Sequence, residues 1–215
     1  MVPALVLLLS YLLGSVVFGV LYSRLRGHDI READLPGGSG TYRQYGLWPA
    51  IIVTALDIGK GILASLVTLH YAPQYTWLAV AGVTLGHCYP VFFRFSGGGG
   101  IAPFNGAFMG AAPLTATPTF IVTLLIIPLY KATLQKKLKL NAIPFAAVCM
   151  LVVGTVFSLL LHKGLPEFLA GGAVMAARAV HMLLQPDHDK KGAAPNASGL
   201  DISSPDARGE EKATT

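Results

Sequence analysis

Charge is scarce in this chain of 215 residues. Only 13% are Asp, Glu, Lys or Arg, about half the usual share, while 53% are hydrophobic. So few charges cannot cover a water-soluble surface, which argues against a disordered chain, a coiled coil and an ordinary globular domain. Cysteine is nearly absent. Cys88 and Cys149 lie inside apolar runs at no metal-like spacing, so neither a disulfide framework nor a zinc site is expected. The six histidines (28, 70, 87, 162, 181 and 188) form no paired ligand spacing, and no metal or other cofactor is expected. There is no convincing internal repeat of the kind transporters carry. What is plentiful is glycine and proline, 24 and 14 residues, which membrane helices tolerate better than soluble ones do. The net charge of +5 hides an asymmetry: residues from 186 onward balance to −2, leaving a basic, apolar body suited to a membrane protein that handles anions.

Apolar runs occur at 2–22, 47–70, 75–93, 103–130, 142–162 and 164–184, and about 20 apolar residues cross about 30 Å of hydrocarbon. The first run lacks a basic segment before it and is followed by Arg24 and Arg26, so it reads as a retained span. Basic residues gather in 23–46, at Arg94 and in 131–141, whereas 71–74 has none. Positive-inside bias therefore puts the N-terminus outside and the C-terminus in the cytoplasm. Segments 94–102 and 131–141 then need the same side with one run between them. That run, 103–130, carries Pro103, Pro113, Pro118 and Pro128. Two short or re-entrant helices there resolve the conflict. The expectation is an all-α polytopic membrane bundle of about seven membrane segments over 1–185, followed by a disordered cytoplasmic tail, 186–215.

Four segments carry chemistry. In the loop from His28 to Arg43, Gly37, Gly38, Ser39 and Gly40 let backbone N–H groups converge as an anion nest, with Arg31 and Arg43 as forked cations; the spacing suits a flexible connector equally well. Ser96, Gly97, Gly98, Gly99 and Gly100 follow Arg94 and precede Pro103, as in a phosphate-cradling entry to a helix, although a glycine run alone fits a mobile loop too. Asp57 and Lys60, spaced i, i+3 within a span, predict a structural ion pair. His87, in an apolar segment close to the glycine run, is either hydrogen-bonded scaffold or a catalytic group. Basic residues confined to membrane-flanking loops give no reason to expect nucleic acid.

In this order, YLLGSVVFG (11–19), DIRE (29–32), GGSG (37–40), LDIGKG (56–61), LGHCYPVF (85–92) and FSGGGG (95–100) resemble the bacterial acyl-phosphate:glycerol-3-phosphate acyltransferases, the PlsY-type membrane enzymes. The resemblance covers about residues 8–105 and then continues as apolar pattern. It implies a seven-helix bundle in the bacterial inner membrane with its motif loops facing the cytoplasm. The implied reaction transfers a fatty acyl group from acyl phosphate to the sn-1 hydroxyl of glycerol 3-phosphate, forming lysophosphatidic acid for phospholipid synthesis. Acyl phosphate is already activated, so positioning supplies much of the rate and no GxSxG nucleophile motif is needed. The candidate catalytic residues are Ser39, Arg43 and His87, and the candidates for substrate phosphate are Gly38, Gly40, Ser96, Gly97, Gly98, Gly99, Gly100 and Arg178; Arg43 and Arg178 match family arginines. Implied partners are the two substrates, membrane lipids and other lipid-synthesis enzymes.

The chain departs from the family pattern in three places. After GSG it runs Thr41-Tyr42-Arg43, where the family has a longer loop with two asparagines. Gly99 stands where the family's second loop, GGKG, has lysine. Near the C-terminus Arg178 is kept, but the family's histidine and asparagine are replaced, with His181 one helical turn on. These departures leave a second reading open, a non-catalytic relative that binds lipid or a partner enzyme. A third, a small transporter or channel, rests on the intramembrane Asp57 and Lys60.

Overall fold

The computed structural model describes residues 1–135 and 142–184. Among them the α-helices are α1 (Val2–Gly14), α2 (Phe18–Leu25), α3 (Gly38–Tyr45), α4 (Leu47–Tyr71), α5 (Thr76–Cys88), α6 (Ile101–Ala111), α7 (Pro113–Thr133), α8 (Ala142–Leu160) and α9 (Leu165–Leu184). Among the described residues five stretches are long and apolar enough to cross a membrane: Val2–Leu25, Leu47–Tyr71, Pro73–Phe93, Pro113–Thr133 and Leu165–Leu184. Phe145–Leu160 is apolar but shorter. The tail expected to be disordered, 186–215, lies outside the described residues, as do Lys136, Lys137 and Lys139.

The proline-rich run 103–130 breaks, but unequally rather than into two short helices. The chain turns at Ala112, φ −142° and ψ 67°, because the ring of Pro113 disfavours a helical residue before it. α6 has 11 residues, about 16 Å at ~1.5 Å per residue, half of a ~30 Å hydrocarbon layer. α7 has 21, a full crossing. Thr115 donates its hydroxyl to the Lys163 carbonyl at 3.1 Å, so the α6–α7 turn is pinned to the α8–α9 connection.

The first run, 2–22, is interrupted with no proline at the break; its one proline, Pro3, opens α1. Residues 15–17 leave the helix, so α1 ends at Gly14 and α2 begins at Phe18. Carbonyls freed at such a break must find donors inside the protein, and Lys60 of α4 supplies them. Its Nζ donates to the carbonyls of Gly14 (2.9 Å) and Val16 (2.6 Å).

Small residues set the helix spacing. A Cβ on Gly61 of α4 would strike the backbone of Pro103 and Ala107 in α6, and one on Gly106 would strike Ile58, so α4 and α6 touch backbone to backbone. α1 packs on α5 in the same way through Gly14, Gly82 and Gly86. The remaining core is aromatic. Phe104, Phe108 and Phe168 are buried with Val80, Val83 and Met175, and the rings of Phe108 and Phe168 lie 5.1 Å apart. α4 and α5 are consecutive crossings joined by residues 72–75, so 26–46 and 89–100 share one end of the bundle.

Candidate active site

The glycine run after α5 is held in place by neighbouring groups, not left as a mobile loop. The chain leaves α5 through Tyr89 and Pro90, then reverses at Arg94 and Phe95, both left-handed with φ of 55° and 58°. Such residues cost roughly 1–2 kcal/mol each, so surrounding contacts must impose the turn. Several do. Arg31 Nη1 donates to the carbonyls of Phe93 (2.6 Å) and Ser96 (3.3 Å). Buried Arg178 of α9 donates through Nη2 to Gly97 O (2.9 Å) and through Nε to Gly98 O (3.2 Å). The Gly98 N–H donates to the His87 carbonyl at 3.1 Å. Gly97 leaves no room for a side chain, since a Cβ would run into His87 O. Gly100, φ 81°, begins α6 without a side-chain cap.

Three successive carbonyls, 96 to 98, thus point toward cations. The N–H groups opening α6 make no capping bond to a side chain, and a helix start of this kind favours anions. Arg178, expected to hold substrate phosphate, spends two donors on the loop. Its guanidinium also lies 5.1 Å from the Tyr89 ring centroid. Tyr89 was not singled out from the sequence, yet it is central here. Its carbonyl accepts from Tyr11 Oη at 2.7 Å, its hydroxyl pairs with His181 Nδ1 at 2.9 Å, and the two rings stack. Gly99 is open, with nothing within 4 Å of a Cβ built there.

The first glycine segment is a helix start, not an open nest. Gly37 is the N-cap, without a side-chain cap, of the eight-residue α3, and Gly38, Ser39 and Gly40 supply its first turn. Glycine disfavours helix by about 1 kcal/mol relative to alanine; packing offsets this. A Cβ on Gly38 would meet the Thr54 hydroxyl of α4, and one on Gly40 would meet the Leu35 carbonyl. Thr41 donates its hydroxyl to Gly37 O at 2.9 Å. Arg43 forks onto Asp34, with Nε to Oδ2 at 2.6 Å and Nη2 to Oδ1.

Arg31 is committed as well. Its Nε and Nη2 grip Asp29 at 2.8 and 2.6 Å, while Arg24 Nε reaches the same carboxylate at 3.2 Å. The Arg31 hydrogen bonds pull the Asp29 carboxyl down to about 2, and Asp29 holds the Arg31 guanidinium above its ordinary value. Through Arg31 the segment before α3 is bonded to the segment before the second glycine run.

Beneath that run lies a buried polar cluster. Lys60 Nζ is 2.8 Å from Asp57 Oδ1 and 3.0 Å from His87 Nδ1. His87 Nδ1 is 3.4 Å from Asp57 Oδ1. Asp57 is fully buried and His87 2% exposed. Two cavities of about 330 and 210 Å³ lie elsewhere, at the α6–α7 and α8–α9 turns, and none of the expected site residues lines them.

The fold and site define a polytopic helical membrane protein with two uncapped glycine-rich helix starts at one end, chemistry suited to phosphoryl groups. The family model for glycerol-3-phosphate acyltransferase matches residues 4–188, and the chain belongs to that family. It is 58% identical over 186 residues to glycerol-3-phosphate acyltransferase 2 of Deinococcus radiodurans, covering 85% of this chain and 95% of that one. It is 39% identical to the Geobacillus kaustophilus glycerol-3-phosphate acyltransferase over 72% of this chain and 77% of the relative. Crystal structures of PlsY (YgiH), an integral membrane glycerol 3-phosphate acyltransferase, are similar in its glycerol 3-phosphate and lysophosphatidic acid forms. TM-scores are 0.70 and 0.69 at 25% identity, over 86% of this chain and 94% and 93% of theirs.

Proposed function

We propose that this protein transfers a fatty acyl group from acyl phosphate to the sn-1 hydroxyl of glycerol 3-phosphate. The hydroxyl oxygen attacks the acyl carbonyl carbon, the bond from that carbon to the phosphate oxygen breaks, and inorganic phosphate leaves. The hydroxyl proton passes to a phosphate oxygen, so atoms and charge balance without a protein nucleophile. The observation that carries this reading is the glycine run at 96–100, whose carbonyls are bonded to Arg31 and Arg178. Donors fixed before substrate arrives need no reorganisation as the oxyanion develops. Family membership and the glycerol 3-phosphate and lysophosphatidic acid forms of the related structure support the acceptor and product.

In this reading Gly38, Ser39 and Gly40 serve one phosphoryl group and Gly98, Gly99 and Gly100 the other. Arg43 of α3 supplies positive charge nearby, and Arg178 acts by shaping the loop. The end of the bundle bearing both segments faces the cytoplasm of a bacterial inner membrane, where positive-inside bias puts Arg24, Arg26, Arg31 and Arg43. Residues 1–185 form the catalytic membrane domain and 186–215 a cytoplasmic tail. Purified protein in detergent, given acyl phosphate and labelled glycerol 3-phosphate, is expected to form lysophosphatidic acid and release phosphate. No acylated product, under conditions where the Deinococcus relative is active, rejects the proposal.

A further inference from the structure

Lys60 has three protons and four neighbours that can accept them. Three of these meet hydrogen-bond geometry: Gly14 O at 2.9 Å, Val16 O at 2.6 Å and His87 Nδ1 at 3.0 Å. The fourth, Asp57 Oδ1, lies 2.8 Å from the ammonium and compensates its charge. His87 Nδ1 stands farther from Asp57 Oδ1, at 3.4 Å, than from Lys60 Nζ, at 3.0 Å. A ring nitrogen that accepts from an ammonium carries no proton of its own, so the imidazole proton sits on Nε2.

That nitrogen faces the glycine run. A Cβ built on Gly98 would lie 2.5 Å from His87 Nε2, 3.1 Å from Cδ2 and 3.5 Å from Cε1, so the Nε2 corner is the part of the ring that approaches the loop. Nε2 is not among the sealed, unbonded buried atoms. Only glycine at 98 leaves room beside this corner, which any side chain there would fill. The loop cannot drift from it, because the Gly98 N–H donates to the His87 carbonyl and Arg178 holds the Gly98 carbonyl.

We propose that His87 is a substrate-facing hydrogen-bond donor: Lys60 fixes its tautomer, and its Nε2–H reaches past Gly98 to a phosphoryl oxygen seated on the glycine run. The proposal rests on the acyl-transfer reading only for the identity of the phosphate. Lys60 is the positioning residue. It acts through the ring while tying the α1–α2 break to the same cluster.

Nitrogen-15 NMR of histidine-labelled protein in detergent tests this, with the His87 signals assigned by their loss in His87→Gln. In the wild type, Nδ1 is expected unprotonated and Nε2 protonated. The Nε2 signal is expected to shift on titration with phosphate compounds, and separate titrations with inorganic phosphate, glycerol 3-phosphate and acyl phosphate identify which group it contacts. A proton on Nδ1, or an Nε2 signal unmoved by all three, overturns the proposal. These measurements need no catalysis, so they stand even if the acyltransferase assay fails. Kinetics give a second reading. His87→Phe keeps the ring shape and loses the donor, and is expected to lose about tenfold or more in kcat/KM, the scale of one hydrogen bond to a charged group. His87→Gln, with an amide N–H in reach of the same corner, is expected to recover most of that loss. Equal impairment of both variants, or none in either, overturns the donor role.

Discussion

Gly37–Gly40 and Gly97–Gly100 lie at the same end of the bundle and each opens a helix, but they are held in opposite ways. The first rests on the outside of α4, and the arginine beside it, Arg43, pairs with Asp34 at a site where the Arg43 side chain is half exposed. The second is gripped from within by Arg178 and by the His87 carbonyl, while Arg31 holds Ser96 just before it. The difference teaches where rigidity is spent. The first start is positioned by close packing of Gly38 and Gly40 against Thr54 and Leu35. A loop whose carbonyls are bonded to buried cations has essentially one arrangement, so its N–H groups are aimed before any substrate binds.

The sharpest way to break this contrast is Arg178→Ala, which strands the Gly97 and Gly98 carbonyls. Charged hydrogen bonds are worth ~1.5–3 kcal/mol each, so kcat/KM should fall on the order of a hundredfold or more, with a lower Tm in detergent. Arg43→Ala leaves the Asp34 carboxylate, only 6% exposed, with the Leu35 N–H as its remaining donor, so Tm should fall, though by less than in Arg178→Ala because water can replace the half-exposed guanidinium. Next in size is a gain. Gly99→Lys places a cation where the structure leaves open space, and steady-state kinetics should show KM for the phosphate substrates falling about tenfold. An unchanged KM would mean the open position does not face substrate.

Smaller again is a glycine pair read by thermal denaturation. Gly40→Ala drives a methyl into the Leu35 carbonyl and should cost about 1–3 kcal/mol, whereas Gly99→Ala should stay within about 0.5 kcal/mol. The smallest effect is acid sensitivity. Asp29 is pulled below its unfolded value of 3.8 to about 2, so its carboxylate stabilises the fold above pH 4 and that contribution fades as pH falls from 4 to 2. Asp29→Asn should flatten this part of a Tm-against-pH curve, and an unaltered slope would remove Asp29 from the account.

The spans were legible because hydrocarbon thickness is written directly into run length, but of the four prolines expected to break 103–130 only Pro113 does, while Pro103 lies in α6 and Pro118 and Pro128 inside α7. The interruption at Ser15–Val17 was not legible. Its run is apolar with its one proline far off at position 3, and the ammonium that satisfies its freed carbonyls is on another helix. Ordered motifs placed His87, Asp57 and Lys60 as residues of interest, and intramembrane charge gives them away in any sequence. Their arrangement around one imidazole depends on three separate segments meeting. Arg31 and Arg178 read as phosphate cations because a sequence shows a charge but not what it touches. Tyr89 gave no signal beyond standing before Pro90. Helix in α3 was hidden by its own glycines, whose propensity points the other way until α4 is there to pack against.

The cleft in the first membrane segment has a consequence for how the protein is made. Lys60 follows Gly14 by 46 positions, so during synthesis the leading segment enters the bilayer before its future donor has emerged. Alone in lipid it has every reason to stay one unbroken rod, with each peptide group satisfied by its own turn. The bend between α1 and α2 therefore depends on α4 lying alongside, with its ammonium there to take up the two freed peptide oxygens.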